Sequence, residues 1–135
     1  MPSATSALSS AGPYTTVQAA ETYANGQTGA PFTFSTVSWQ AGATLKVLHG
    51  TPSESAGYGG DFYFFFVNGR SVGTHSFAQA TASSLVGGTG FQVTFEVYKP
   101  GDPMCCPSGG QSTVMFSWNG TSLSTSGSLA GANLS

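Results

Sequence analysis

The chain has 135 residues and a formal net charge of −2, and only 6% of its residues are charged. Its three basic residues, Lys46, Arg70 and Lys99, are too few and too scattered for a nucleic-acid surface or a polybasic membrane patch. The five carboxylates do not suffice for an all-carboxylate calcium site, and no apolar run approaches the roughly 18 residues of a membrane helix.

Hydroxyl groups and glycine supply most of the polarity, with 36 Ser and Thr residues and 19 Gly. Such a composition is typical of exported and envelope proteins. Residues 1–12 predict a flexible Ser/Ala-rich linker, since they have neither the basic region nor the apolar region of a signal peptide. We expect any export signal to have been removed and residues 13–135 to form a single globular domain.

One helix is predicted, from Pro13 to Asn25. Val17, Ala20 and Tyr23 recur at helical spacing, and proline suits the first turn of a helix. Gly26 follows at the position of a C-terminal cap.

The first strands are predicted downstream of this helix. Residues 31–40 alternate, with Phe32 and Phe34 on one face and Trp39 on the other, and a strand over residues 43–50 follows. Residues 61–67, "DFYFFFV", are aromatic on both faces, which predicts a strand in the middle of a sheet.

Two Asn-Gly pairs, at Asn68 and Asn119, predict tight type I′ hairpins between antiparallel strands. Between them, "SSLVGG" predicts a short strand. A second strand alternates cleanly, with its inward positions at Phe91, Val93, Phe95 and Val97. The chain is therefore predicted to be mainly β or α+β, a single domain with about seven antiparallel strands in a curved sheet, sandwich or barrel and one N-terminal helix.

The only two cysteines, Cys105 and Cys106, are neighbours in the loop from Lys99 to Gly110. Prolines and glycines in this loop predict a defined backbone shape. In an oxidising compartment, the intramolecular bridge available joins the two neighbours. Adjacent Cα atoms lie about 3.8 Å apart across a trans peptide, below the roughly 4.4–6.8 Å of ordinary disulfides, so such a bond would be strained.

Several interpretations of this pair stay open. A vicinal disulfide would shape the loop, and two reduced thiols would pack as small hydrophobes. With Met104 and a histidine, the thiolates would suit copper(I), although the CxxC spacing is absent. A nucleophilic or redox-active thiol would need His49 or His75 as its base, and a crosslink between molecules completes the set.

Two further residues have both a functional and a structural interpretation. Asp61 begins the aromatic strand and either anchors a ligand in a pocket or bonds to nearby backbone. Trp118 ends a strand and either stacks on a sugar ring or packs in the core. No phosphate-binding loop, Ser-His-Asp pattern, HExxH motif or catalytic pair of carboxylates occurs. The sequence therefore predicts neither a catalytic residue nor a metal or cofactor.

Residues 57–126 contain three motifs that are found together in one family. These are the hairpin "FFFVNGRSVGT", the strand "VGGTGFQVTFEVYK", and a Cys-Cys-Pro-x-Gly-Gly loop followed by a strand that ends in an aromatic residue and Asn-Gly. In these motifs the chain resembles the LppP/LprE family of actinobacterial, largely mycobacterial, lipoproteins. About half of the chain is covered by the resemblance.

The resemblance implies an exported protein at the cell surface or in the periplasm, tethered to the cell membrane by a lipid on an N-terminal cysteine. No lipobox cysteine occurs in this sequence, so the anchor is expected on a precursor. The family implies no enzymatic activity, and its exported setting favours a disulfide between Cys105 and Cys106.

We therefore expect a non-enzymatic envelope ectodomain that binds a lipid, glycan or protein at the 99–110 loop. The tentative contact residues are Met104, Cys105, Cys106, Pro107, Asp61 and Trp118. The alternative is a thiol-based redox or copper-handling protein that uses the cysteine pair. A weaker alternative is a hydrolase with a site at Asp61 or His75.

Overall fold

The computed structural model describes residues 12–28, 32–52, 60–103 and 106–132. In this part of the chain, one helix and eight strands form a mainly β domain, as predicted. The strands make two four-stranded antiparallel sheets, and in each sheet strands consecutive in sequence are hydrogen-bonded neighbours. The elements are α1 (Val17–Thr28), β1 (Phe32–Ser35), β2 (Leu45–Pro52), β3 (Asp61–Val67), β4 (Arg70–Phe77), β5 (Ala80–Val86), β6 (Gly90–Glu96), β7 (Gln111–Trp118) and β8 (Leu123–Ser126).

The two sheets pack face to face as a β-sandwich, and alternate strand residues fill the space between them. The core residues from the first sheet are Leu45, Val47, Tyr63, Phe65 and Phe77, and those from the second are Phe91, Val93, Phe95, Val114 and Phe116. The inward positions predicted for β6 are confirmed over the length of that strand. Val97 lies beyond its end and packs against the core only in part.

β3 is buried on both faces, which confirms its predicted place in the middle of a sheet. It lies between β2 and β4. Tyr63 and Phe65 face the second sheet, whereas Phe64 and Phe66 belong to a separate core under helix α1. The helix contributes two buried alanines to that core, and these short side chains let it lie close to the aromatic rings.

Helix α1 begins and ends later than predicted. The hydroxyl of Thr16 accepts a hydrogen bond from the N–H of Ala19 at 3.1 Å, which makes Thr16 the N-terminal cap. Gly26 lies inside the helix, which continues to Thr28. The prediction was wrong at both ends: the threonine cap, rather than Pro13, sets the first turn, and the helix continues past Gly26.

β1 is shorter than predicted, and this changes the position of Trp39. The strand ends at Ser35, and residues 36–44 form turns. The expected alternation of faces does not continue through these turns. Trp39 therefore lies on the same side as Phe32 and Phe34, and its ring lies 5.5 Å from that of Phe66.

The two Asn-Gly turns have different geometries. Asn68 and Gly69 both have positive φ, at 51° and 76°, as a type I′ hairpin requires. At the second pair, the Asn119 side chain accepts the N–H groups of Thr121 and Ser122, each at 2.9 Å. The antiparallel pairing of β7 and β8 is confirmed, but type I′ geometry is wrong here because the asparagine oxygen forms an Asx turn.

The two ends of the sandwich differ in structure. At the hairpin end, the N–H of Gly12 donates to the carbonyl of Asn68 at 2.8 Å, so the described chain begins against the β3–β4 turn. A Cβ on Gly69 would lie 2.7 Å from the Gly12 carbonyl oxygen, so this contact requires glycine. At the opposite end, called the loop end, residues 97–110 connect β6 to β7.

Replacing Phe65 by alanine tests the packing of β3 against the second sheet. Phe65 is fully buried, so we expect the free energy of unfolding to fall by about 3–5 kcal/mol. Urea denaturation measures the change. Val86→Ala is the control, since Val86 is 41% exposed and its truncation should cost less than about 1 kcal/mol. Equal effects of the two substitutions would contradict the described core.

Candidate functional site

The loop that connects β6 to β7 is organised around the carboxylate of Asp102. This carboxylate accepts hydrogen bonds from the backbone N–H groups of Lys99 and Ser108, each at 2.8 Å. The hydroxyl of Ser108 adds a third donor at 2.9 Å. One side chain therefore joins the two halves of the loop.

The base of the loop is closed by backbone hydrogen bonds. The N–H of Val97 donates to the Gly110 carbonyl at 2.8 Å, and the N–H of Gly109 donates back to Val97 at 2.7 Å. A Cβ on Gly109 would lie 2.7 Å from a methyl carbon of Val97, so the close approach needs glycine there. Gly109 thus contributes to the defined loop shape that the sequence predicted.

These hydrogen bonds also change the acidity of Asp102. The backbone N–H of Lys99 is the main cause of a lowered pKa of the Asp102 carboxyl, and the donors of Ser108 add to it. The loop therefore stays closed by a charged carboxylate well into the acidic range.

The cysteine pair lies only partly within the described chain. Cys106 is exposed, is not a free thiol, and donates its N–H to the carbonyl of Pro103 at 3.0 Å. Pro107 beside it is half-buried. Met104 and Cys105 lie outside the described residues, so the disulfide between Cys105 and Cys106 stays a prediction.

Asp61 is committed to partners within the fold. Its Oδ1 lies 2.7 Å from Nε2 of His49, and its Oδ2 accepts the N–H of Ala80 at 3.0 Å. Both side chains are mostly buried, at 17% and 27% exposed for Asp61 and His49. Asp61 therefore links the first sheet to β5 of the second sheet.

Tyr63 lies directly beside this hydrogen-bonded pair. The His49 ring stacks on the Tyr63 ring with centroids 4.5 Å apart, and the Tyr63 hydroxyl shares a hydrogen bond with Ser83 on β5. Burial is the main reason that the pKa of Tyr63 rises to about 12. Two polar bridges, from Asp61 and from Tyr63, thus connect the sheets on the side of β5.

The structure does not bring all the sequence-predicted contact residues together. Asp61 lies at the loop end, but its carboxylate points to His49 and Ala80. Trp118 ends β7 at the hairpin end, seven residues from the start of that strand, or roughly 23 Å away. There it packs against the core and lines a small cavity of about 80 Å³ beside Arg70.

The sequence did not indicate which residue His49 pairs with. Twelve residues separate His49 from Asp61, and only the register of β2 on β3 brings them together. One indication was present in the sequence, because the alternation of side chains along β2 places His49 on the same face as Val47. The other histidine, His75, packs its ring 4.4 Å from Phe116.

The chain is similar to a known protein family. A model of the LppP/LprE lipoprotein family matches residues 37–121, which is more than half of the chain. The chain belongs to the LppP/LprE lipoprotein family. The match runs from the turn after β1 to the Asx turn at Asn119, and it includes the 97–110 loop and the His49–Asp61 pair. No curated protein and no solved structure matches the chain.

Membership confirms the family predicted from the sequence and makes the protein an envelope lipoprotein. Within the described residues of this LppP/LprE lipoprotein, no helix has the length and hydrophobicity needed to cross a membrane.

Burial gives His75 a predictable effect on stability. Because desolvation lowers its pKa below 6.5 in the folded protein, the unfolded chain binds a proton more readily. The contribution of His75 to stability is therefore complete above pH 6.5 and declines as the pH falls below that value. We expect the urea concentration at the unfolding midpoint to decrease as the pH is lowered from about 7.5 to about 5.5. His75→Gln should make this decrease smaller. The control, His49→Gln, leaves His75 in place and should retain the part of the pH dependence that His75 causes. A pH dependence that is unchanged in His75→Gln would show that His75 is not its cause.

Replacing Asp102 by alanine should open the loop. Without its acceptor, the amide protons of Lys99 and Ser108 should exchange roughly tenfold faster, as measured by NMR. In the wild type, these two amide protons should stay protected from exchange above about pH 3.8. Their protection should decline only as the pH falls through the lowered pKa of Asp102. Glu96→Gln is the control, because Glu96 bonds to Gln111 outside the loop. Unchanged exchange in Asp102→Ala would show that the carboxylate does not hold the loop.

Proposed function

We propose that this LppP/LprE lipoprotein is a non-enzymatic ectodomain that binds an envelope partner through the 99–110 loop. The observation that carries the proposal is the position of the loop, fixed by Asp102 at the end of the sandwich opposite Gly12. A preformed loop loses little conformational entropy when it binds, so it suits recognition.

The N-terminal part of the described chain lies at the end of the sandwich opposite the loop, which supports this proposal. The described chain begins at the hairpin end, where Gly12 bonds to Asn68. A lipid carried at the N-terminal end of a precursor would therefore tether the hairpin end. The loop end would then lie farther from the point of attachment than the hairpin end, by the length of β3, roughly 20 Å.

The chemistry of the loop favours contact through backbone groups and hydroxyls. Lys99 and Asp102 are the charged side chains in its described part, and Asp102 is occupied by internal hydrogen bonds. Binding through such a surface should depend little on salt, since few charges take part.

The His49–Asp61 pair favours a structural role over catalysis. Both carboxylate oxygens of Asp61 have partners, and the His49 ring is stacked on Tyr63. The nearby Ser83 hydroxyl is already engaged by Tyr63. Asp61, Tyr63 and Ser83 thus join the two sheets, and His49 contacts Asp61 and Tyr63 within the first sheet, which supports a binding domain rather than a hydrolase.

The alternative is a redox or copper-handling protein that uses Cys105 and Cys106. Within the described residues, no group of three or more His, Cys, Asp and Glu side chains is placed to hold a metal ion. A copper titration that gives no stoichiometric uptake, with Cys106 bridged in the never-reduced protein, would dispose of this alternative.

Site-specific photocrosslinking tests the main proposal. A p-benzoylphenylalanine residue replaces Lys99, whose exposed side chain lies on the loop, in the lipidated precursor expressed in its native envelope. Irradiation should give an adduct of discrete mass, and the additional substitution Asp102→Ala should remove it. The matched control places the photoreactive residue at Thr121, which is exposed at the hairpin end.

Adducts of the Lys99 variant alone would support the loop as the binding surface. Equal adducts from both positions, or none from Lys99, would overturn it. An adduct that persists in Asp102→Ala would mean that the closed shape of the loop is not what the partner recognises.

A further inference from the structure

A cleft of about 540 Å³ lies on the side of the sandwich, away from the 99–110 loop. One wall is formed by turn residues between Val37 and Ala43, and the other by β5 from Ser83 to Leu85 with the glycines of the turn that follows. Its volume is within the usual range of roughly 300–1,000 Å³ for ligand sites.

Both walls are held by hydrogen bonds within the protein. The N–H of Val47 donates to the Ser38 carbonyl at 3.1 Å, and the Gln40 side chain donates to the carbonyl of Val37 at 2.7 Å. On the other wall, the Gly88 carbonyl accepts the N–H of Leu45 at 2.9 Å. The cleft is therefore preformed rather than dependent on a ligand for its shape.

The chemistry of the lining is neutral. No charged and no aromatic side chain is among the described residues that line the cleft. The polar groups are serine hydroxyls and one glutamine amide, and Val37 adds an apolar side chain that is 75% exposed. A buried charge would find no counter-charge here, and a sugar ring would find no aromatic face on which to stack.

The β5 wall is the edge of a sheet, because β5 pairs with β6 alone in the strand order. An edge strand presents a row of N–H and C=O groups to solvent, and proteins usually protect it with charges, proline or bulges. β5, "ATASSLV", contains no charged residue and no proline, and its irregularity lies at Ala80–Ala82, outside the cleft. Its second half is thus a regular, neutral edge.

The other sheet edges differ from β5. β1 and β8 have only four residues each. β4 begins with the charged Arg70, and its Gly73 approaches Leu123 of β8 in the opposite sheet. The combination of a long neutral edge with a preformed cleft beside it therefore occurs at β5.

We propose that the cleft binds an extended, uncharged polypeptide segment of a partner protein. The segment adds a fifth strand to the β5–β8 sheet along Ser83–Val86, and one of its apolar side chains lies between Val37 and Leu85. Main-chain hydrogen bonds to the strand edge supply affinity, and the neutral lining selects against charged segments. This site is separate from the 99–110 loop of the proposed function.

NMR titration of the isotope-labelled 135-residue chain tests the proposal. The probe is a blocked, uncharged peptide, acetyl-Thr-Val-Ser-Val-Thr-Gly-amide, added to millimolar concentration. Amide shifts should be confined to the two walls of the cleft. Two control peptides of the same length should bind at least tenfold more weakly. One has lysine in place of both valines, and the other has proline in place of the serine at its third position and the threonine at its fifth.

Ser84→Lys is the test variant, since it places a charge on the neutral edge at an exposed position. It should weaken binding of the neutral peptide at least tenfold. Thr113→Lys is the matched control: Thr113 is exposed on β7 of the same sheet, away from the cleft, and the substitution should leave binding unchanged.

Three outcomes would overturn the inference. The neutral peptide gives no shifts in the cleft, or shifts only the 99–110 loop. A neutral oligosaccharide such as chitotriose shifts the cleft while the peptide does not. Cleft resonances broaden with protein concentration in the absence of peptide, in which case a second copy of the chain occupies the edge.

Discussion

Five consecutive aromatic residues, Phe62 to Phe66, cannot all face one side of a strand, because successive side chains point to opposite faces. β3 must therefore be covered on both faces. The second sheet covers Tyr63 and Phe65, and helix α1 covers Phe64 and Phe66. This one strand accounts for the three layers of the molecule, and the neighbouring elements are arranged around it.

The few charged side chains serve mainly as hydrogen-bond acceptors and donors for the fold. Asp61 joins His49 to the backbone of β5, and Asp102 closes the 97–110 loop through backbone donors. A carboxylate that accepts several N–H groups organises a loop or a strand end more precisely than a hydroxyl, since charge-assisted bonds are stronger. A chain with 6% charged residues can therefore still have rigid edges and a rigid loop.

In the proposed function, recognition at the loop end is separated from attachment at the hairpin end. The described chain begins at the hairpin end, and the fixed loop lies at the other end. The side cleft adjoins the hairpin end, since its lining includes Gly87 and Gly88 of the β5–β6 turn, and hydrogen bonds hold both of its walls. The sandwich thus offers two different surfaces, one made by a loop and one by a strand edge, on a core that neither of them disturbs.

The sequence by itself determined the local features, because they depend on neighbouring residues. Strand alternation placed Phe91, Val93 and Phe95 in the core, and Asn68–Gly69 specified a hairpin. The family was also readable from the motifs around the cysteine loop. Only the tertiary structure decided the pairing of His49 with Asp61, the return of Trp39 to the helix side, and the packing of Trp118 beside Arg70. These depend on strand register, on the point where a turn interrupts a strand, and on which sheet each strand joins, and residues far apart in the chain set all three.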